Sequence, residues 1–146
     1  MLGLVVQDLN LSEGISMSFT NFLETEILDH VFAGAAYTAP GTKYLALFTA
    51  ISDGEAGSVT EVSASGTSYA RQTVAFTTAG ATTSNSGAVE YPTATGGGFG
   101  TVTHVGVYDA LTSGNLMCYA TLTASKAIAA GDVFRVPVGD LDITLN

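Results

Sequence analysis

The sequence predicts a mainly β protein: an antiparallel two-sheet β-sandwich, jelly-roll-like, with one N-terminal helix on its flank. Three observations carry that prediction. Residues 101–109, TVTHVGVYD, gather Val102, Val105, Val107 and Tyr108 into one short run, the apolar density of a central strand. Residues 115–123, NLMCYATLT, form a second run of this kind, and the intervening ALTSG is short and closed by Gly114, as a hairpin connection should be. Helical periodicity, by contrast, is convincing in a single stretch near the N-terminus. Two adjacent strands this apolar need cover on both faces, and that demand calls for a second sheet.

Composition narrows the class further. A chain of 146 residues is of ordinary single-domain size. At 47% hydrophobic and 12% charged residues it is too apolar for a disordered chain and rather apolar for a lone monomer, so part of the surplus is expected to meet other subunits. Four Lys and Arg against thirteen Asp and Glu give a formal charge of −9, which repels phosphate backbones and anionic membranes. Neither nucleic acid nor membrane is expected as a partner. The single cysteine, Cys118, has no internal disulfide partner and reads as a small buried group in its strand. No signal peptide is evident, and no apolar run is long enough for a membrane span.

In chain order, residues 1–16 (MLGLVVQDLNLSEGIS) carry Leu2, Leu4, Val5, Val6, Leu9, Leu11 and Ile15 among few polar residues. Such a segment is either a first edge strand or an extended arm that lies on a neighbour. The expected organisation is an arm over 1–16 and one sandwich domain over 17–146. Residues 18–33 read as the helix: Asn21 is placed to cap it, Glu24 follows three residues on, and Phe19, Leu23, Ile27 and Val31 form a stripe with Phe22 and Leu28 beside it. Glu24 and Glu26 suit the positive end of its dipole, His30 the negative end. Gly34 ends it as a left-handed cap, and Pro40 forbids continuation.

Residues 43–50, KYLALFTA, are a buried strand by their aromatic and apolar content. The interval 51–69 is polar and small, with Asp53, Glu55 and Glu61, and reads as a long loop, the length that marks a working surface or a mobile connection. The spacing of its acids matches no EF-hand, so calcium is not expected. Residues 70–78 alternate with Val74 and Phe76 inward, and 85–92 form a short strand closed by Pro92. The glycine-rich TATGGGFG of 93–100 leads into a strand instead of a helix, which argues against a phosphate loop. After the turn pair Gly131-Asp132, residues 133–138 (VFRVPV) and 141–146 (LDITLN) supply the last strands, with Pro137 pushing the former towards an edge or bulge.

Chemistry-bearing constellations are missing from this pattern. No nucleophile elbow occurs, and the two histidines fall on a helix end (His30) and in a strand (His104). One Cys and two distant His do not make a zinc site. Thirteen acids satisfy a glycosidase by count, but no aromatic platform accompanies an acid pair and tryptophan is absent. Neither catalysis nor a cofactor is expected.

The order of FTNFLETEILDHVFAGAAYTAPGTKYLALFTA, SYARQTVAF, GTVTHVGVYDA, SGNLMCYATLTASKAIAAGDVF and LDITLN resembles a family of small tailed-phage virion proteins. Members are often labelled tail-fibre proteins, and related ones occur as cement, or decoration, proteins on icosahedral heads. The likeness covers residues 18–146, and YARQ followed by the T-HVG-YDA block is its most specific part. It implies a structural virion protein without catalytic residues. The first expectation is a capsid cement protein on the outer capsid surface, bound to the major capsid protein across its joints and acting as a homo-oligomer such as a trimer. The alternative is a tail-fibre or baseplate module that contacts tail proteins and the host through the 51–68 and 93–100 loops. Interfaces of this kind are anchored by aromatic, Arg and apolar residues. The candidates are Leu4, Val5, Val6 and Leu9 in the arm, with Tyr69, Arg71, Tyr91, Phe99 and Arg135; core packing is the competing role for Tyr69 and Phe99.

Overall fold

The computed structural model describes residues 5–8 as backbone and residues 15–145 with their side chains. Its first strands are β1 (Val5–Asp8), β2 (Ile15–Ser16) and β3 (Ser18–Phe19), followed by helix α1 (Asn21–Leu28), which runs on as a π-type turn over Asp29–Ala33. Then come β4 (Lys43–Asp53), β5 (Ser58–Glu61), β6 (Gln72–Val74), β7 (Phe76–Ala79), β8 (Thr82–Asn85) and β9 (Val89–Glu90). The long central pair β10 (Gly100–Tyr108) and β11 (Leu116–Ile128) precedes β12 (Asp132–Val136) and β13 (Leu141–Thr144). The chain is mainly β and sandwich-like, as its apolar patterning requires.

Strand β10 lies at the centre of a six-stranded antiparallel sheet, with Val105 opposite Ala120 of β11 on one side and Leu47 of β4 on the other. β3 pairs with β11, while β5 and β6 both pair with β4. The second layer is split. One small sheet has the order β2-β13-β8-β7, the other β1-β12-β9. Two of their pairings, β1 with β12 and β2 with β13, are parallel, which departs from the all-antiparallel expectation. The run expected as one strand over 70–78 is itself divided between the large sheet and the second layer. At Ala75 its carbonyl accepts from the Ser86 N–H (2.9 Å), so β6 stays with β4 and β7 crosses to β8.

Strict alternation fills both faces of the large sheet. Leu45, Leu47, Val105 and Val107 face the small sheets, where Val89, Tyr91, Phe134, Val136 and Leu141 complete the main core. Each such side chain contributes roughly 1.5–3 kcal/mol by leaving water. Ala46, Phe48, Tyr108 and Leu116 form a smaller cluster on the reverse face. Gly106 belongs there because a Cβ at that point would stand 2.6 Å from both the Phe48 ring and Leu116 Cδ1.

Several local expectations are corrected. The helix cap is Thr20, not Asn21: Thr20 has extended backbone, its hydroxyl accepts from the Leu23 N–H (3.5 Å) and donates to the Leu116 carbonyl (2.6 Å). Phe19 lies in β3, and of the expected stripe only Leu23 is buried, because α1 rests on the sheet by its first turn alone. The interval 51–69 is not one loop. β4 continues to Asp53, and a turn closed by Gly57 N–H to Gly54 O (3.1 Å) leads into β5. Its Ser, Thr and Glu residues look like a loop by composition but suit the open edge of a sheet. Likewise 85–92 is divided, since buried Asn85 ends β8 by donating to Gly87 O and Pro137 O and accepting from the Leu141 N–H.

Candidate functional site

The largest concentration of polar chemistry surrounds Arg71. Its Nε donates to Glu61 Oε1 (2.9 Å) and its Nη2 to Glu61 Oε2 (2.8 Å), a two-pronged pair joining β5 to the segment before β6. Nη1 donates to Ala110 O (2.9 Å) and Ser113 O (2.7 Å), pinning the β10–β11 hairpin loop. The guanidinium lies 3.5 Å from the centre of the Tyr108 ring. Burial disfavours this charge, but the Glu61 carboxylate outweighs burial and leaves the Arg71 pKa above its ordinary value. Glu61 Oε1 also accepts from the Tyr69 hydroxyl (2.7 Å), and that hydroxyl in turn accepts from the Leu47 N–H (3.0 Å). Burial, then the nearby Glu61, push the Tyr69 pKa far up, so the phenol stays protonated.

A hollow of about 340 Å³ beside this network is lined by Tyr69, Arg71 and Leu111. Four of the five Arg71 N–H donors are already satisfied inside the chain, so the hollow offers an anion little. The arrangement is a brace. It ties an edge strand, a loop and the reverse-face cluster into one block.

A second feature lies at the helix end. Leu28, Val31 and Phe32 are 56%, 61% and 81% exposed, and no other large apolar side chains cluster in this way along one described segment. The backbone under them is firmly bonded. Gly34 takes the left-handed conformation with its N–H on Asp29 O, the Ala35 N–H adds a second bond there (3.1 Å), and the Tyr37 N–H donates to His30 Nδ1 (3.2 Å). Glu24, Glu26 and Asp29 occupy the same helical segment. Burial first, then Asp109 and Glu26, raise the Tyr37 pKa, so both acids lie within electrostatic reach of that ring.

The sequence candidates fall in different places. Leu4 and Leu9 lie outside the described residues. Val5 and Val6 belong to β1, opposite Asp132 and Val133 of β12, so this part of the segment is an edge strand within the chain. Past it, Ile15 is buried and paired with Leu141, on the arm side of the boundary expected at residue 17. Tyr69, Tyr91 and Phe99 are 5% exposed or less and pack on one another, the core role weighed for two of them. Tyr91 also donates to Leu45 O (2.6 Å). Arg71 is the brace. Arg135 keeps an exposed side chain near Glu90, at 3.8 Å.

The acids of 51–69 are likewise spread out. Asp53 accepts from the Ala56 N–H, Glu55 from the Tyr119 hydroxyl and Glu61 from the brace. Among the described residues no group of three or more His, Cys, Asp or Glu is placed to hold a metal ion. Sequence reasoning missed Glu61 and Tyr108 as partners of Arg71. The signal was an arginine inside a strand pattern, which requires a carboxylate. It missed the exposed helix end as well, although Phe22, Leu23, Ile27, Leu28, Val31 and Phe32 are too many apolar residues for one stripe.

None of the curated proteins compared with this chain matches it. The family model described as podophage GP4 fiber I protein gp80 matches residues 18–144, from β3 to the end of β13. The match takes in the brace, the helix end and the strands of the sandwich other than β1 and β2, so the chain belongs to the podophage GP4 fiber I protein gp80 family, and it is a structural protein of the phage virion.

Proposed function

We propose that the chain is a non-catalytic module of a phage tail fibre, fixed in the virion by surface contacts with neighbouring tail proteins. One observation carries this reading: the polar groups best suited to chemistry, Arg71, Glu61 and Tyr69, are consumed in stiffening the fold, while bulky apolar groups are presented outside. A stiff block with docking side chains is what a fibre joint requires. The family name agrees with the fibre location.

Capsid cement is the second reading, with the major capsid protein as partner. Val138 and Leu145, 60% and 59% exposed on elements remote in sequence from α1, favour it by offering further faces to neighbours. Quantitative mass spectrometry of purified particles separates the two. A few copies that co-purify with detached tails support the fibre; hundreds that stay with tail-free heads support cement. A chain missing from the particle altogether overturns both.

A further inference from the structure

The exposed end of α1 is the surface that the proposed docking leaves unspecified, and its chemistry selects a partner. Phe32 projects from backbone fixed by the Gly34 cap and the His30–Tyr37 contact, so little ordering entropy is lost when it is buried. π-type turns of this kind recur at functional sites. Glu24 stands one turn before Leu28 on the same helical face and Asp29 directly after it, while Glu26 lies towards the far side of the helix.

The chain holds four Lys and Arg in all, and three have partners within the chain: Lys43 donates to Pro40 O (3.0 Å), Arg71 sits in its brace and Arg135 lies beside Glu90 (3.8 Å). A two-fold contact between two copies through this end would therefore set carboxylates against carboxylates. An apolar plug with an acidic collar fits the opposite charge.

We propose that Leu28, Val31 and Phe32 form a plug that seats in an apolar pocket rimmed by Lys and Arg on another protein of the virion. The inference rests on the reading of the chain as a docked virion component, but it names the surface and the chemistry that reading lacks. Phe32 is the central anchor, in the manner of aromatic hot spots ringed by polar contacts. The acidic collar orients the approach and makes the contact sensitive to salt.

The test uses purified full-length chain titrated onto particles assembled in a host that does not supply it. Wild type is expected to bind saturably, and more weakly at about 0.5 M salt than at about 0.1 M, as screening shortens. Val31→Ser with Phe32→Ser should raise the half-saturating concentration about tenfold or more, the scale of a hot-spot loss. Leu111→Ser, an exposed apolar change elsewhere, should leave it unaltered. Glu24→Lys with Asp29→Lys should weaken binding to a similar degree at low salt. Melting temperatures are measured alongside: the serine changes at exposed positions should leave Tm unaltered, and the lysine variant, which gives up the acidic first turn of α1, should lower it by no more than a few degrees while the chain stays folded.

If the serine variant binds like wild type, the plug is wrong. If only the lysine variant does, the basic rim is wrong and the proposal falls with it. Wild type that sediments as a dimer while the serine variant is monomeric identifies a second copy as the occupant and also overturns it. Wild type that fails to bind any particle refutes the docking reading itself, an outcome distinct from the others.

Discussion

Removing Glu61 should unfasten the brace and expose how much of the fold depends on it. In Glu61→Ala the Arg71 guanidinium, whose side chain is 7% exposed, loses its bidentate partner while its buried position is unchanged. Breaking a buried ion pair from one side costs about 3–5 kcal/mol. The Glu61 side chain is 25% exposed, so water offsets part of the loss and moves the figure to the lower end. The orphaned Tyr69 hydroxyl adds about 1 kcal/mol. A total of about 4 kcal/mol corresponds to a drop of about 8–16 °C in Tm for a chain of this size. Arg71→Met should cost a comparable amount, since it frees the 110–113 loop carbonyls and the Tyr108 face. The double variant should lose less than the sum, with a coupling energy of about 1–3 kcal/mol. Urea denaturation of the four proteins at constant m value measures this cycle. Single losses below about 1 kcal/mol, or additivity within about 0.5 kcal/mol, would refute the brace.

Three further outcomes follow from the packing. Cys118 is buried and its thiol pKa is pushed up to about 12 by that burial, so native protein at about pH 8 should resist a thiol reagent and react fully only after denaturation; rapid native labelling contradicts the buried strand. Burial lowers the His104 pKa from its ordinary 6.5, so the folded chain prefers the neutral ring. The folded pKa being the lower one, stability should decline as pH falls below 6.5 towards that depressed value, and His104→Gln should flatten this part of the profile; equal slopes for both proteins between about pH 5 and 7 contradict it. Gly98 has φ of +81°, and a Cβ there would stand 2.4 Å from Ile128 O, so Gly98→Ala should cost about 2 kcal/mol or more through strain and clash; calorimetry showing no shift in Tm argues against the turn.

The central pair was legible because its apolar density leaves no other solution: β10 and β11, joined by a turn ending in Gly114, were readable from two short runs. So was the buried character of β4. What escaped was long-range. Nothing local marks Ala75 as the point where a strand changes sheets, because the deciding bond comes from Ser86. The cap was misassigned for a similar reason. Asn21 and Thr20 are both good capping residues, and the choice is made by the Leu116 carbonyl, distant in sequence. Among the interface candidates, an aromatic residue reads the same whether its partner is another chain or its own core. Tyr69, Tyr91 and Phe99 pack on one another, whereas Phe32, one apolar residue too many for its helical stripe, is left outside.

The account rests on this chain working by contact inside the particle, at the fibre. A near-atomic reconstruction of the intact virion, with this fold fitted to the density, measures that most directly. The predicted result is density for the sandwich at the tail, with the Phe32 end of the helix buried against a neighbour. Density confined to the lattice of the head, or a sandwich at the tail with that end in open solvent, would contradict it.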